Sequence, residues 1–207
     1  MRHELAGMGF RNLQVLSRGV DTQLFQPSRW NKLLRQSWGA GEQRLVALYV
    51  GRIAPEKNLP LLIEAFRRMQ ATRPGMKLVM VGDGPERAKL QAMHPDIIFA
   101  GMRTGEDLAE HYASADLFLF PSITETFGNV VLEAMASGLP VVAFDTGALP
   151  ELVRGHAGRI VGLFVQVGQR TAGALQLPRC LPQEVAALFA QGPPPSAETI
   201  DEHKGIA

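Results

Sequence analysis

The chain has 207 residues, 46% hydrophobic and 20% charged, which is ordinary for a globular protein and too apolar for disorder. Its 21 basic and 20 acidic residues leave a net charge of +1, so it does not gather nucleic acid by bulk electrostatics and any anion site must be local. A single cysteine, Cys180, excludes an intrachain disulfide framework and a cysteine zinc cluster, and fits a reducing compartment.

No apolar run approaches the ~20 residues of a membrane span; Ile160 to Val165, with Gly162 counted, is among the longest. Met1 to Gly9 includes His3 and Glu4 and has no apolar stretch, so no secretory signal is expected. These features predict a soluble, cytoplasmic chain. Residues 1 to 44 hold one candidate strand, Leu13 to Leu16, then Arg18-Gly19-Val20-Asp21 and a polar, helix-like stretch from Trp30 to Trp38.

From there two kinds of segment alternate. Apolar runs rich in β-branched and aromatic residues predict buried parallel strands at Leu45–Val50, Lys77–Val81, Ile97–Ala100, Leu117–Phe120 and Val141–Phe144. Between the first two, Leu62, Ala65, Phe66 and Met69 recur at helical spacing, with Glu64, Arg67, Arg68 and Gln70 opposite. Further helices are expected at Pro85–Met93, Gly105–Ser114 and Gly128–Ser137, the last ended by Gly138 and Pro140. Thr104 followed by Asp107 resembles a capping box with aspartate in place of glutamate. Strand and helix alternating in this way define an α/β fold with a doubly wound, Rossmann-like parallel sheet. The tail differs: from Leu152 to Gln183 there is no acidic residue, prolines interrupt it, and only Glu184–Ala190 reads as a short helix.

In a doubly wound sheet, ligands bind beyond the carboxyl ends of the strands. After Val50 comes Gly51-Arg52-Ile53-Ala54-Pro55-Glu56-Lys57-Asn58. Its arginine fork and lysine point charge suit a diphosphate, and a solvated turn with two surface cations is the alternative. After Val81 comes Gly82-Asp83-Gly84-Pro85, which is not a dinucleotide fingerprint because Arg87 stands where a third glycine belongs. By itself it reads as a tight strand-to-helix turn. After Phe120 the chain reads Pro121-Ser122-Ile123-Thr124-Glu125-Thr126-Phe127-Gly128-Asn129-Val130-Val131-Leu132-Glu133-Ala134. Gly128 and Asn129 open a helix whose free N–H groups make an anion site without side-chain charge. Glu125 and Glu133 bracket that start, and ionised carboxylates accept hydrogen bonds from sugar hydroxyls. Glu133 lies in a nearly all-apolar helix, where a carboxylate wants a partner.

These residues carry a resemblance. Glu125-Thr126-Phe127-Gly128…Glu133-Ala134 resembles the E-x7-E signature of retaining, nucleotide-sugar-dependent glycosyltransferases of family 4, which have the GT-B fold. Arg18-Gly19-Val20-Asp21, Gly51-Arg52…Glu56-Lys57, Gly82-Asp83-Gly84-Pro85 and Gly138-Leu139-Pro140-Val141-Val142 are similar to further patterns of that family, in the same order. The spelling around Glu125 most resembles the mannosyl- and glycolipid-type branch, which includes enzymes using GDP-mannose. The resemblance implies that Arg52 and Lys57 hold the donor diphosphate, joined by backbone N–H groups of Phe127, Gly128 and Asn129. It implies that Glu125 meets the transferred hexose and Glu133 the ribose. Gly51 would join the donor site, and the base would lie near Gly82-Asp83-Gly84 and the Ala100-Gly101-Met102-Arg103 turn. No metal or other cofactor is expected, since cations and helix amides can stabilise the leaving diphosphate.

The implied organisation is the C-terminal half of a GT-B fold: residues 1–14 as a lead-in, 15–165 as the nucleotide-sugar binding domain, and 166–207 as a divergent, partly disordered tail. The acceptor domain, for a lipid or glycan, would precede these residues. Peripheral membrane association would belong to the full enzyme. The competing reading is a non-catalytic nucleotide or nucleotide-sugar binding module, which keeps the donor pocket and lacks an acceptor site.

Overall fold

The computed structural model describes residues 7–11, 19–122, 128–143, 160–161 and 164–165. The expected strand Leu13–Leu16, the helix Glu184–Ala190 and the signature residues Glu125 and Phe127 lie outside them. Five strands, β1 (Val46–Val50), β2 (Lys77–Val81), β3 (Ile98–Gly101), β4 (Leu117–Phe120) and β5 (Val141–Ala143), form a parallel sheet in the order β3-β2-β1-β4-β5. All residues of β1, β4 and β5 are buried, as expected for strands covered on both faces. Each strand falls within a residue or so of its predicted range.

Helices α1 (Lys32–Ser37), α2 (Leu59–Thr72), α3 (Arg87–Met93), α4 (Gly105–Ser114) and α5 (Asn129–Ala136) supply the two outer layers. Alternate residues of β1 face opposite cores. Val46, Leu48 and Val50 join Tyr112 of α4 and Val131, Ala134 and Met135 of α5, with Phe25 and Trp38. Ala47 and Tyr49 join Leu59, Leu62, Phe66 and Met69 of α2 and Leu90 of α3. In α2 the periodic apolar face is buried, while Glu64 and Arg68 pair at 2.6 Å on the opposite side. Pro60 sits in its first turn, where a missing N–H is harmless. Burial of a side chain such as Phe66 stabilises by about 1.5–3 kcal/mol.

The helix-like stretch from Trp30 to Trp38 is α1, preceded by a 3-10 turn at Pro27–Arg29 and capped by Asn31, whose side chain accepts from Leu34 N–H at 3.1 Å. Two local expectations are corrected. The helix expected from Pro85 starts at Arg87, because Arg87 N–H bonds Gly84 O at 3.1 Å and closes a turn first. The Thr104 capping box does not form. Asp107 is instead held by Arg103 at 3.0 Å and by His111 at 3.3 Å.

The far edge adds something the parallel pattern does not contain. β6 (Ile160–Val161) and β7 (Phe164–Val165) pair antiparallel, and β7 continues the sheet antiparallel to β5. Only two residues separate β6 from β7, far too few for the crossover a parallel pair requires.

Candidate functional site

The strand order reverses between β1 and β4, so the crevice at their carboxyl ends is the topological switch point. Three loops meet along this edge. Gly51 N–H bonds Val81 O at 3.0 Å, Ile53 N–H bonds Asp83 O at 2.9 Å, and Gly82 N–H bonds Gly101 O at 2.8 Å. The backbones are so close that a Cβ on Gly82 would lie 2.0 Å from Gly51 O, and one on Gly84 2.3 Å from Ile53 O. Gly82 also has a φ of +134°, which L side chains rarely adopt. The loop glycines are therefore required by packing, independently of any ligand. At Gly51 an added Cβ would meet the Tyr49 hydroxyl at 2.8 Å, and that hydroxyl is bound to Arg52 O at 2.9 Å.

The two cations after β1 are placed differently. Pro55–Lys57 forms a 3-10 turn closed by Asn58 in the left-handed region at φ 52°. Lys57 is thereby turned toward the strand beyond the switch point, and its Nζ donates to Ser122 Oγ at 3.3 Å. Ser122 is buried immediately after β4. Arg52 is 65% exposed and pairs with Glu56 at 3.3 Å. Arg103 is engaged at its own turn, donating to Ala100 O at 3.0 Å and pairing with Asp107.

Gly128, at φ 62°, turns the chain into α5, and Asn129 is its first residue. The opening N–H groups of a helix have no intrahelical acceptor and carry its positive dipole end. The Asn129 Oδ1 is buried without a hydrogen-bond partner among the described residues. Further along α5, Glu133 finds the partner its apolar helix requires: Tyr112 of α4 donates to Glu133 Oε2 at 2.9 Å. Burial pushes the Glu133 carboxyl above the ordinary glutamate value, and the Tyr112 hydrogen bond opposes that rise. Burial, reinforced by the adjacent carboxylate, raises the Tyr112 phenol well above its ordinary value, so it remains a donor at neutral pH.

The fold thus brings Gly51, Arg52, Lys57, Gly82, Gly84, Gly128 and Asn129 to one edge of the sheet, with Glu133 further along α5. Two residues that contact this set, Ser122 and Tyr112, were not assigned from sequence. Ser122 had a usable signal, standing directly after a strand at the switch point. Tyr112 had none, because on a helix it reads as one more apolar residue. Among the described residues no helix is long and apolar enough to cross a membrane.

This architecture defines an α/β domain of Rossmann type with its topological switch point between β1 and β4. The family described as "Glycosyl transferases group 1" matches residues 44–181, so the chain belongs to the group 1 glycosyl transferases, which are of GT-B type. It is 42% identical over 165 residues to the "GDP-mannose-dependent alpha-mannosyltransferase" of Mycobacterium tuberculosis (strain CDC 1551 / Oshkosh), covering 80% of this chain and 41% of that protein. It is 37% identical over 144 residues to the "Sulfoquinovosyl transferase SQD2" of Arabidopsis thaliana, covering 68% of this chain and 28% of that protein. The chain spans less than half the length of these curated relatives. Among solved structures it is similar to Anabaena Alr3699/HepE in complex with UDP-glucose. The TM-score is 0.61 at 28% identity, over 86% of this chain and 50% of that one.

Proposed function

We propose that residues 15–165 form the donor-binding domain of a retaining, family 4 glycosyltransferase. It moves a hexose, mannose foremost, from a nucleoside-diphosphate sugar to a lipid or saccharide acceptor. One observation carries this reading: Lys57 after β1 reaches Ser122 after β4 across the switch point, beside the strand that leads to α5. The likeness to GDP-mannose-dependent mannosyltransferases supports mannose.

In this reading Lys57 and Arg52 meet the diphosphate, Arg52 by leaving its exposed pairing with Glu56. Phe127, Gly128 and Asn129 add backbone N–H groups, so the charge that grows on the departing diphosphate is met by fixed donors without a metal. Glu125 accepts hydrogen bonds from the hexose hydroxyls and Glu133 from the ribose. Gly51, Gly82 and Gly84 shape the floor under the base, and Arg103 lies at its rim. The E-x7-E pair is the 125–133 pair. The acceptor is held by a domain outside these residues, and the donor domain as proposed includes neither 1–14 nor 166–207. The full enzyme works in the cytoplasm at the membrane surface.

The chain by itself then binds a donor and does not transfer it, because the rate gain of about 10⁵–10⁸ M effective molarity needs both reactants held together. Titration calorimetry with GDP, UDP, GDP-mannose and UDP-glucose tests the binding. Heat with none of the four refutes the donor site, and robust transfer to an added acceptor refutes the division of labour.

A further inference from the structure

Glu133 interrupts a helix whose neighbours Val131, Leu132, Ala134 and Met135 are all buried. A carboxylate there can rotate about three side-chain bonds, and its usefulness as an acceptor depends on which way the group is turned. One contact decides this. The Tyr112 hydroxyl donates to Oε2 at 2.9 Å, and Oε1 has no hydrogen-bond partner among the described residues. The phenol itself has no freedom. Tyr112 is fully buried, its ring stands edge-on to Phe25 at 5.7 Å and is tilted on Phe118 at the same distance. Those contacts belong to the core beneath β1 and β4, so the hydroxyl is fixed by the same packing that builds the crevice.

We infer that Tyr112 is a positioning residue: its hydroxyl occupies Oε2 and fixes the carboxylate so that Oε1 is the single oxygen presented to a ribose hydroxyl. This rests on the reading of Glu133 as the ribose acceptor. A phenol suits the task because it donates one hydrogen bond in one direction, and carries no charge that would compete for the carboxylate as a lysine would. The contact links α4 to α5, so a purely structural role, as a bond between helices, makes different predictions.

The test uses the intact chain, titrated with GDP and with 2′,3′-dideoxy-GDP, which lacks both ribose hydroxyls. Tyr112→Phe keeps the ring and its packing and removes only the donor. The expected result is about a tenfold loss for GDP and no change for the dideoxy compound, since one hydrogen bond to a charged group is at stake. Glu133→Ala should show the same selective loss, and adding Tyr112→Phe to it should cost nothing more. Equal losses of both compounds in Tyr112→Phe, or wild-type behaviour beside a selective Glu133→Ala, would overturn the positioning role alone. Equal affinity of the wild-type chain for both compounds, or binding of neither, would overturn the ribose reading beneath it.

Discussion

Removing the guanidinium of Arg35 should destabilise the domain far more than an ordinary ion pair would. Arg35 is 2% exposed and makes four hydrogen bonds. Its Nε donates to Gly41 O at 2.6 Å, Nη2 to Arg44 O at 2.6 Å, and Nη1 to Ser114 O at 2.7 Å and to Asp116 Oδ2 at 2.9 Å. The same Asp116 oxygen accepts from Val46 N–H at 2.9 Å, so one cluster ties α1, the end of α4 and the start of β1. Arg35→Met fills the stem's volume and leaves the largely buried Asp116, 13% exposed, without its cation. Breaking a buried pair from one side costs about 3–5 kcal/mol, against about 0.2–1 kcal/mol for an exposed pair. Against a total stability of about 5–15 kcal/mol the variant would be marginal. With a urea dependence of about 2 kcal/mol per molar, the unfolding midpoint should fall by about 1.5–2.5 M. Circular dichroism during urea titration measures this. Adding Asp116→Asn should recover part of the loss, since the stranded charge is gone. A midpoint shift under about 0.5 M would mean that the cluster is replaceable by water, and would refute the reasoning.

Four further outcomes are expected. Burial, the larger effect, holds His111 below its ordinary value of 6.5, against the opposing Asp107 carbonyl and carboxylate. The folded ring then binds fewer protons than the unfolded one, so stability is intact above about pH 6.5 and is lost as pH falls through the folded value. His111→Gln should flatten the dependence of the melting temperature on pH between about 7 and 5, and parallel curves would contradict this. Gly84→Ala puts a methyl 2.3 Å from Ile53 O, so a loss at the upper end of the ~1–3 kcal/mol range for overpacking is expected in denaturation. Lys57→Ala should weaken GDP or UDP tenfold or more with an unchanged melting temperature, from about 1.5–3 kcal/mol for a charged hydrogen bond, and calorimetry reads it. Glu133→Ala should weaken nucleoside diphosphate and nucleotide sugar equally, whereas Glu125→Ala should weaken only the sugar conjugate; matched behaviour of the two variants would remove the ribose–hexose division.

The amino-acid sequence by itself determined the alternation of buried strands and amphipathic helices, because unbroken apolar runs and three-and-four spacing are local properties of the chain. It also placed candidate residues beyond the carboxyl ends of the strands, since Gly51 and Gly82 directly follow β1 and β2 and Gly128 opens the helix after β4. What each residue touches was decided elsewhere. Arg52 and Lys57 look equivalent in one loop, yet the 3-10 turn and left-handed Asn58 send Lys57 to Ser122 and leave Arg52 to Glu56. Gly82 and Gly84 read by themselves as a tight strand-to-helix turn, and their need for hydrogen in place of a side chain comes from Gly51 and Ile53, which are distant in sequence. Asp107 reads as the capping-box partner of Thr104, and Arg103 and His111 take it. Glu133 asks for a partner in any sequence reading, but nothing in the pattern points to Tyr112, 21 residues earlier on a different helix. Hydrophobic periodicity reports only whether a side chain is inside or outside. Which buried polar groups meet depends on how helices are laid on the sheet, and that is a property of the packed whole.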